Sequence, residues 1–307
     1  MTDKPVISLC IPTNGVIEWV FPVLDSIFSQ EADRSLYEVV ITDNGNNQIF
    51  KKKLAEYKEK YINIVYVETN ALPFLNEIES YKRASGQLIK FVNHRTMLIK
   101  GALEKLICFA EENKKDKPVV YFANGVLEIA KEQHEYDGFD QFVRNLSYWS
   151  SWSTGMTIWK EDFDRLPENV SDFNVLFPHT TVLFNERNRG KYIIDNTVIM
   201  NELPTGNIPK GRYDLFGAFG IEYPRIIEEL LRDGSITDET YRIVADKNLE
   251  FIAELYWEYC LRKKPCSYDL SGLNNMLGIY YTKAGLRRKT VKCVGKKILR
   301  KFGLEMK

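Results

Sequence analysis

At 307 residues the chain is long enough for one large core, or for one core with a smaller appendage. Its 42 basic residues balance 42 acidic ones, so the net charge near zero gives no reason to expect nucleic acid as the main partner. With 44% hydrophobic and 27% charged residues the composition is that of an ordinary globular enzyme, and neither a disordered nor a fibrous chain.

Residues 6–11 form a short continuous apolar run, the mark of a strand buried on both faces, and stop at Pro12-Thr13-Asn14-Gly15. Trp19, Val20, Val23, Leu24, Ile27 and Phe28 then recur at helical spacing, with Pro22 near the start of the helix, where it is tolerated. A second strand over 37–42 ends at Asp43-Asn44-Gly45. A charged helix over 50–61, a strand at 63–67, a helix at 76–84 and a strand at 88–92 follow. An amphipathic helix over 97–113 leads to a strand at 119–123. This alternation predicts an open α/β sheet with helices on both faces. Ligands bind such sheets outside the carboxyl ends of the strands. Three of those ends carry polar sets: Thr13-Asn14, Asp43-Asn44 and Asn93-His94-Arg95.

The character changes near residue 205. The stretch Gly206-Asn207-Ile208-Pro209-Lys210-Gly211 reads as a loop, and helical patterns over 223–232 and 238–262 come after it. The expected organisation is a sheet domain over 1–204 and a helical extension over 205–307. The last 25 residues hold ten Lys/Arg and one Glu, with Val291, Val294, Ile298, Leu299 and Phe302 between them. On a helix that pattern suits either an anionic membrane surface or a basic face packed on the domain, and the sequence leaves both open.

Five cysteines, Cys10, Cys108, Cys260, Cys266 and Cys293, form no C-x-x-C pair. Cys10 falls in an apolar strand and Cys108 on an apolar helix face, so buried free thiols are expected, and with them a reducing compartment. The opening residues lack the basic stretch and apolar run of a signal peptide, and no segment reaches the ~18 apolar residues of a spanning helix. The expected location is cytoplasmic, with peripheral attachment to the inner membrane face if the basic tail binds lipid.

The opening, PVISLCIPTNGVIEWVFPVLDSIFSQ followed by YEVVITDNGNN, resembles the start of a family 2 glycosyltransferase. That family opens with a strand ending in Pro-Thr, a helix containing L-x-S-I-x-x-Q, and a strand reaching an Asp-Asp-Gly-Ser-like turn. Pro12-Thr13, Leu24 to Gln30 and Asp43-Asn44-Gly45-Asn46 hold those places. Residues 84–92, ASGQLIKFV, are similar to the family's entry into its metal motif, and 153–161, STGMTIWKE, to its acceptor-side segment. The resemblance covers about residues 5–200. It implies a GT-A fold, a Rossmann-like mixed sheet with helices on both faces. It also implies transfer of a sugar from a nucleotide-sugar donor to a saccharide acceptor, with inversion. A lipid-linked acceptor in O-antigen or capsule synthesis fits, and the Phe-Pro-His stretch is similar to abequosyltransferase-like enzymes.

The departure from the family is informative. Its Asp-x-Asp motif holds Mg²⁺ or Mn²⁺ against the donor pyrophosphate, and this chain has Asn93-His94-Arg95 there. Asn93, His94 and His179 are the remaining candidate metal ligands, so Mg or Mn binding stays open. The preferred expectation is that Arg95, assisted by His94, Lys82 or Arg83, takes over the electrostatic work of the metal. The rival is a structural ion pair at Arg95. The implied donor-binding set is Pro12, Thr13, Asn14, Asp43, Asn44, Asn93, His94 and Arg95. For Asp43 an Asx-type turn is the alternative role. The family's acidic base is missing between Asp172 and Glu186, which leaves His179 as candidate base, at the start of a helix over 180–187, and Asp172 as fallback. Trp149, Trp152 and Gly155 are the candidate acceptor-binding residues, beside Tyr148. A catalytically inactive relative that only binds a nucleotide sugar or a partner protein is the competing function.

Overall fold

The computed structural model describes residues 4–129, 131–206, 208–209 and 211–301. Phe302 of the basic tail and Asn207 and Lys210 of the loop therefore lie outside the described residues. The chain divides into two compact units. One runs to Phe142 and resumes over Trp149–Pro204, and the other takes Val143–Tyr148 and everything from Thr205 onward.

The first unit is built on a five-stranded sheet. Its strands are β1 (Ile7–Thr13), β2 (Tyr37–Asp43), β3 (Ile64–Glu68), β4 (Leu88–Phe91) and β8 (Thr157–Trp159), in the order β3-β2-β1-β4-β8. The first four strands are parallel, and β8 runs antiparallel on β4. Every residue of β2 is buried, as expected of a strand covered on both faces. Because side chains alternate along a strand, Ile7, Leu9, Ile11, Val39 and Ile41 share one face. They pack with Phe21, Leu24 and Ile27 of α1 (Ile17–Phe28), Phe50 and Leu54 of α2 (Gln48–Lys60), and residues such as Leu103 and Leu106 that belong to α4 below. The even positions meet α3 (Asn76–Arg83) on the other face. There the Cys10 thiol donates to the Ser80 carbonyl, and the Thr42 hydroxyl to the Asn76 carbonyl.

Two smaller sheets complete this unit. In the expected helix over 97–113 the structure places β5 (Thr96–Leu98) first, and only then α4 (Ala102–Asn113). Gly101, at φ +81°, breaks the two apart, and β5 pairs antiparallel with β10 (Met200–Glu202). The strand expected at 119–123 is β6 (Val119–Phe122), and it does not join the main sheet. The free edge of β4 is taken by β8, so β6 pairs instead with β9 (Tyr192–Asp195), which also carries β7 (Gln133–Tyr136). Side chains stitch the sheets together: the Thr157 hydroxyl donates to the Val120 carbonyl, and the Trp159 indole to Pro118 O at 2.9 Å.

Short helices connect these strands: α5 (Phe139–Leu146), α6 (Lys160–Phe163) and α7 (Pro178–Asn185). The last begins two residues before its expected start, because Pro178 occupies its first turn, where a missing N–H goes unnoticed. Cys10 is buried, and burial pushes its thiol far above the usual range. Cys108 is exposed, contrary to expectation. The inward stripe of α4 runs through Leu103, Leu106, Ile107 and Ala110, and Cys108 points away from it.

The second unit is helical: α8 (Leu215–Gly217), α9 (Tyr223–Arg232), α10 (Asp238–Leu255), α11 (Leu273–Met276) and α12 (Lys283–Lys301). Five-residue-spaced π turns at Ala218–Glu222 and Tyr256–Leu261 interrupt the pattern, so α10 stops at Leu255 and not at 262. Its core joins Phe216, Leu249, Ile252, Met276, Tyr281 and Leu286. No described helix is long and apolar enough to cross a membrane.

Candidate functional site

The parallel strands β1, β2 and β4 end at one rim, and the polar sets that follow them are knitted together by hydrogen bonds. Asn76, at the first turn of α3, is the knot. Its amide donates to Thr42 O at 2.8 Å and Thr13 O at 3.2 Å, and its Oδ1 accepts from the Thr69 hydroxyl at 2.7 Å. One buried side chain thereby sets the relative height of two strand ends. Sequence reading missed it, since an Asn opening a helix looks like an ordinary cap.

Thr13 Oγ1 accepts the Gly15 N–H at 3.1 Å and shares a 2.9 Å hydrogen bond with His94 Nδ1. Asn44 N–H donates to Thr13 O at 3.0 Å, and its side chain to Ala71 O at 3.0 Å. The β1 and β2 turns touch so closely that a Cβ on Gly45 would lie 2.1 Å from Asn14 O, which restricts that position to glycine. Asn14 is exposed and Pro12 partly so, at the lip of the rim. Asp43 is buried. Its Oδ1 accepts Gly45 N–H at 2.8 Å and its Oδ2 the Tyr66 hydroxyl at 3.1 Å. Burial raises its carboxyl above the usual range, with those two hydrogen bonds opposing. The turn-organising role is therefore present, and any ligand contact has to use the remaining lone pairs.

The Asn93-His94-Arg95 segment is a tight turn into β5. Asn93 Oδ1 accepts the Arg95 N–H at 3.0 Å, and Asn93 O accepts both the backbone and hydroxyl of Thr96. The His94 ring stands edge-on to Trp19, centroids 5.1 Å apart. Burial first, and the Arg95 charge second, lower its pKa to about 4, so it is neutral near pH 7. Arg95 turns away from the rim. Its guanidinium donates to Leu203 O at 2.8 Å and Glu202 at 3.0 Å, and lies 5.8 Å from the Trp19 ring centroid. This is the structural ion pair that stands as the rival to a phosphate role for Arg95: β10 offers a carboxylate and a carbonyl at the reach of the side chain. The assisting cations are taken as well. Lys82 donates to Glu168 O, and Arg83 pairs with Glu79.

A divalent ion bound as in Asp-x-Asp enzymes needs hard anionic oxygens. This turn offers one neutral amide oxygen, already bonded to a backbone N–H, next to a cation, and does not fit that ion. Among the described residues no three His, Cys, Asp or Glu converge as a metal site.

The wall beside this rim is the segment of short 3₁₀ turns at Ser147–Ser151 and Ser153–Gly155. Its backbone carbonyls are captured by side chains from three distant elements. The Tyr121 hydroxyl of β6 reaches Trp149 O at 2.6 Å and Trp152 O at 2.7 Å. Thr180 of α7 donates to Ser150 O at 2.9 Å, His179 Nε2 sits 2.8 Å from Ser151 O, and Lys90 of β4 donates to Thr154 O. The Trp149 and Trp152 rings, partly exposed and 4.7 Å apart at 53°, stand on this pinned backbone. Gly155 has a packing reason: a Cβ there would fall 2.1 Å from the Tyr121 ring. It is buried against that ring.

His179 lies beneath that wall, 5% exposed, with Nδ1 3.4 Å from Glu77 Oε2. The Tyr81 hydroxyl donates to the other carboxylate oxygen at 2.7 Å. A carbonyl only accepts, so Nε2 carries a proton. Nδ1 faces that carboxylate at 3.4 Å and has no hydrogen-bond partner among the described residues. Lys90 is fully buried on the neighbouring strand. Burial lowers its pKa to about 7, and the Glu77 charge works the other way. Glu77 and Lys90 were not singled out in the sequence. Asp172, the fallback base, is exposed at the end of the turn Val170–Asp172.

No family model matches the sequence. Over 113 residues it is 28% identical to a poly(ribitol-phosphate) beta-glucosyltransferase of Bacillus spizizenii, a stretch covering 36% of this chain and 18% of that one. Over 144 residues it is 26% identical to an uncharacterized glycosyltransferase of Mycoplasma genitalium, covering 41% and 48%. The S. aureus TarS structure of residues 1–349 with UDP-GlcNAc superposes at TM-score 0.55 over 98% of this chain and 93% of that one, at 14% identity. The chain has the GT-A fold. The matched stretches span about half or less of the two curated relatives. The rim of the GT-A sheet is where the hydrogen-bonded polar sets described above gather.

Proposed function

We propose that the chain is a glycosyltransferase of the family 2 kind. It moves a sugar from a nucleotide-sugar donor to a saccharide acceptor, with inversion, in the synthesis of a surface polysaccharide. The observation that carries this reading is the rim itself. Thr13 bonds both Asn44 and His94, and Asn76 ties Thr13 to Thr42, at the carboxyl ends of parallel strands, where open α/β sheets take ligands. The likeness to a poly(ribitol-phosphate) beta-glucosyltransferase of Bacillus supports a surface-polymer acceptor, and a lipid-linked acceptor of the O-antigen or capsule type belongs to the same proposal. That reading places the chain at the cytoplasmic face of a membrane.

In this scheme the exposed Asn14 and the half-buried Asn44 meet base and ribose, and Asp43 holds the turn that presents them. Trp149 and Trp152 offer aromatic faces to the acceptor saccharide. The acceptor oxygen attacks the anomeric carbon, the nucleoside diphosphate leaves with the bonding electrons, and His179 takes the acceptor proton. For that step the Ser151 O contact opens and solvent water takes the Nε2 proton, which frees Nε2 for the acceptor's proton while Nδ1 faces Glu77, 3.4 Å away. His94, neutral and held to Thr13 through Nδ1, faces the diphosphate in place of hard-metal ligands.

A second reading, a binding protein without turnover, is favoured by the Arg95–Glu202 pair and the missing carboxylates at 93–95. Calorimetry with UDP-, GDP-, CDP- and dTDP-sugars, in EDTA and then with Mg²⁺ or Mn²⁺, separates these outcomes when joined to an assay of nucleoside diphosphate release. One nucleotide class bound in EDTA, with acceptor-dependent release lost in His179→Ala, is expected. Binding without transfer or hydrolysis establishes the second reading, and no binding of any donor sinks both.

A further inference from the structure

Helix α12 divides its cations between two faces. Its inward face packs on α10 through Leu286, Thr290 and Cys293. Three lysines complete that contact. Lys289, 7% exposed at its side chain, pairs with Asp246 at 2.6 Å and Glu250 at 2.9 Å; Lys292 reaches Glu250 at 3.0 Å, and Lys297 reaches Glu258 at 2.9 Å. Lys264, and after it Lys297, hold Glu258 at about 2, and Lys289 and Lys292 lower Glu250 against the opposing effect of burial.

The outward face is different. Val291 and Ile298 are 73% and 51% exposed, and a spacing of seven residues puts them on one line along the helix. Arg287 and Arg288 lie one turn earlier, to either side of that line. Both are exposed and have no ion-pair partner among the described residues. Val291 and Ile298 gain nothing from water, and α10 cannot cover them because it lies on the opposite face.

We propose that this outward face of α12 docks on an anionic lipid bilayer. The two aliphatic side chains enter the headgroup boundary while Arg287 and Arg288 meet lipid phosphates. The combination decides the occupant. A soluble polyanion uses the cations and leaves the aliphatic line in water, whereas an interfacial helix uses both. The proposal does not depend on the catalytic reading.

The test is co-sedimentation of the full chain with vesicles of phosphatidylcholine alone, or mixed with phosphatidylglycerol, at low and high salt. Binding to the mixed vesicles only, weakened by salt, is expected. Arg287→Glu with Arg288→Glu weakens it at least about tenfold, at about 1 kcal/mol per basic residue near the surface. Val291→Ser with Ile298→Ser weakens it by about fivefold, with melting curves unchanged because both positions are exposed. No binding to mixed vesicles at low salt overturns the proposal, as does binding undiminished in both double variants. Equal binding to heparin that is insensitive to the serine pair gives the cations to a soluble polyanion and overturns it too.

Discussion

Lys90→Met isolates the most unusual charge in the first unit. Lys90 is wholly buried on β4, its ammonium bonded to Thr154 O and 3.4 Å from Met156 O, with the Glu77 charge as the one interaction raising its pKa. Its pKa is about 7 in the fold and near the ordinary 10.5 when unfolded. Between those values the unfolded chain binds a proton that the folded chain refuses, so stability rises with pH. The full penalty applies below about pH 7 and fades toward pH 10.5. From pH 7.5 to pH 9 the gain integrates to about 2 kcal/mol, close to 1.3 kcal/mol per pH unit at the upper end. Cys10 titrates in the same range with the opposite sign, because its raised thiol keeps a proton that the unfolded chain releases. The informative quantity is therefore wild type minus Lys90→Met, in which the other groups cancel. Urea unfolding in that pH range is expected to show the difference shifting by about 2 kcal/mol in favour of wild type as pH rises. Parallel stability curves for the two proteins would refute the dry environment inferred for Lys90.

Gly155→Ala forces a methyl onto the Tyr121 ring and is expected to lower stability by about 1–3 kcal/mol, whereas Gly190→Ala, with nothing within 4 Å, is expected to be silent in the same melts. Asn76→Ala removes two backbone tethers and leaves Thr13 O and Thr42 O under-satisfied; a loss of about 2–3 kcal/mol, together with weaker nucleotide binding by calorimetry, is expected. Stability is expected to fall on acidification from about pH 6.5 toward pH 4, as unfolded chains take up a proton that His94 refuses, and His94→Gln is expected to flatten that part of the curve. Arg95→Ala is expected to leave donor affinity within about threefold of wild type, at a stability cost of about 1 kcal/mol; a tenfold affinity loss would return Arg95 to the phosphates.

The sheet of the first unit was legible because its strands are buried on both faces and read as unbroken apolar runs: residues 6–11 and 37–42 need no partner to be recognised. β7, β9 and β10 were not read at all. They are three or four residues long, and β7 and β10 are largely exposed, so periodicity has too little length to act on. β5 was absorbed into a helix because its three residues continue the apolar pattern of α4, and only the left-handed Gly101 separates them. At the site, the sequence points to positions after strands and misses those that look inward. Asn76, Glu77, Lys90 and Tyr121 lie inside elements, where a polar residue reads as a break in an apolar pattern. Their meaning depends on partners about thirty to a hundred positions away in the chain. Arg95 shows the opposite limit. Its type suits a phosphate, and only the position of β10 reveals the carboxylate that claims it.

The pinned carbonyls of residues 149–154 separate what this wall is made of from how it is held. Tyr121, Thr180, His179 and Lys90 grip backbone, so none of them reads which side chain stands at 149, 152 or 153. Exchanging Trp149 or Trp152 for another residue changes the surface offered to a ligand while the scaffold stays in place. An insertion or deletion in the same stretch shifts every carbonyl off its donor at once. The segment is therefore frozen in length and open in content, and a new acceptor preference can arise there by single substitutions.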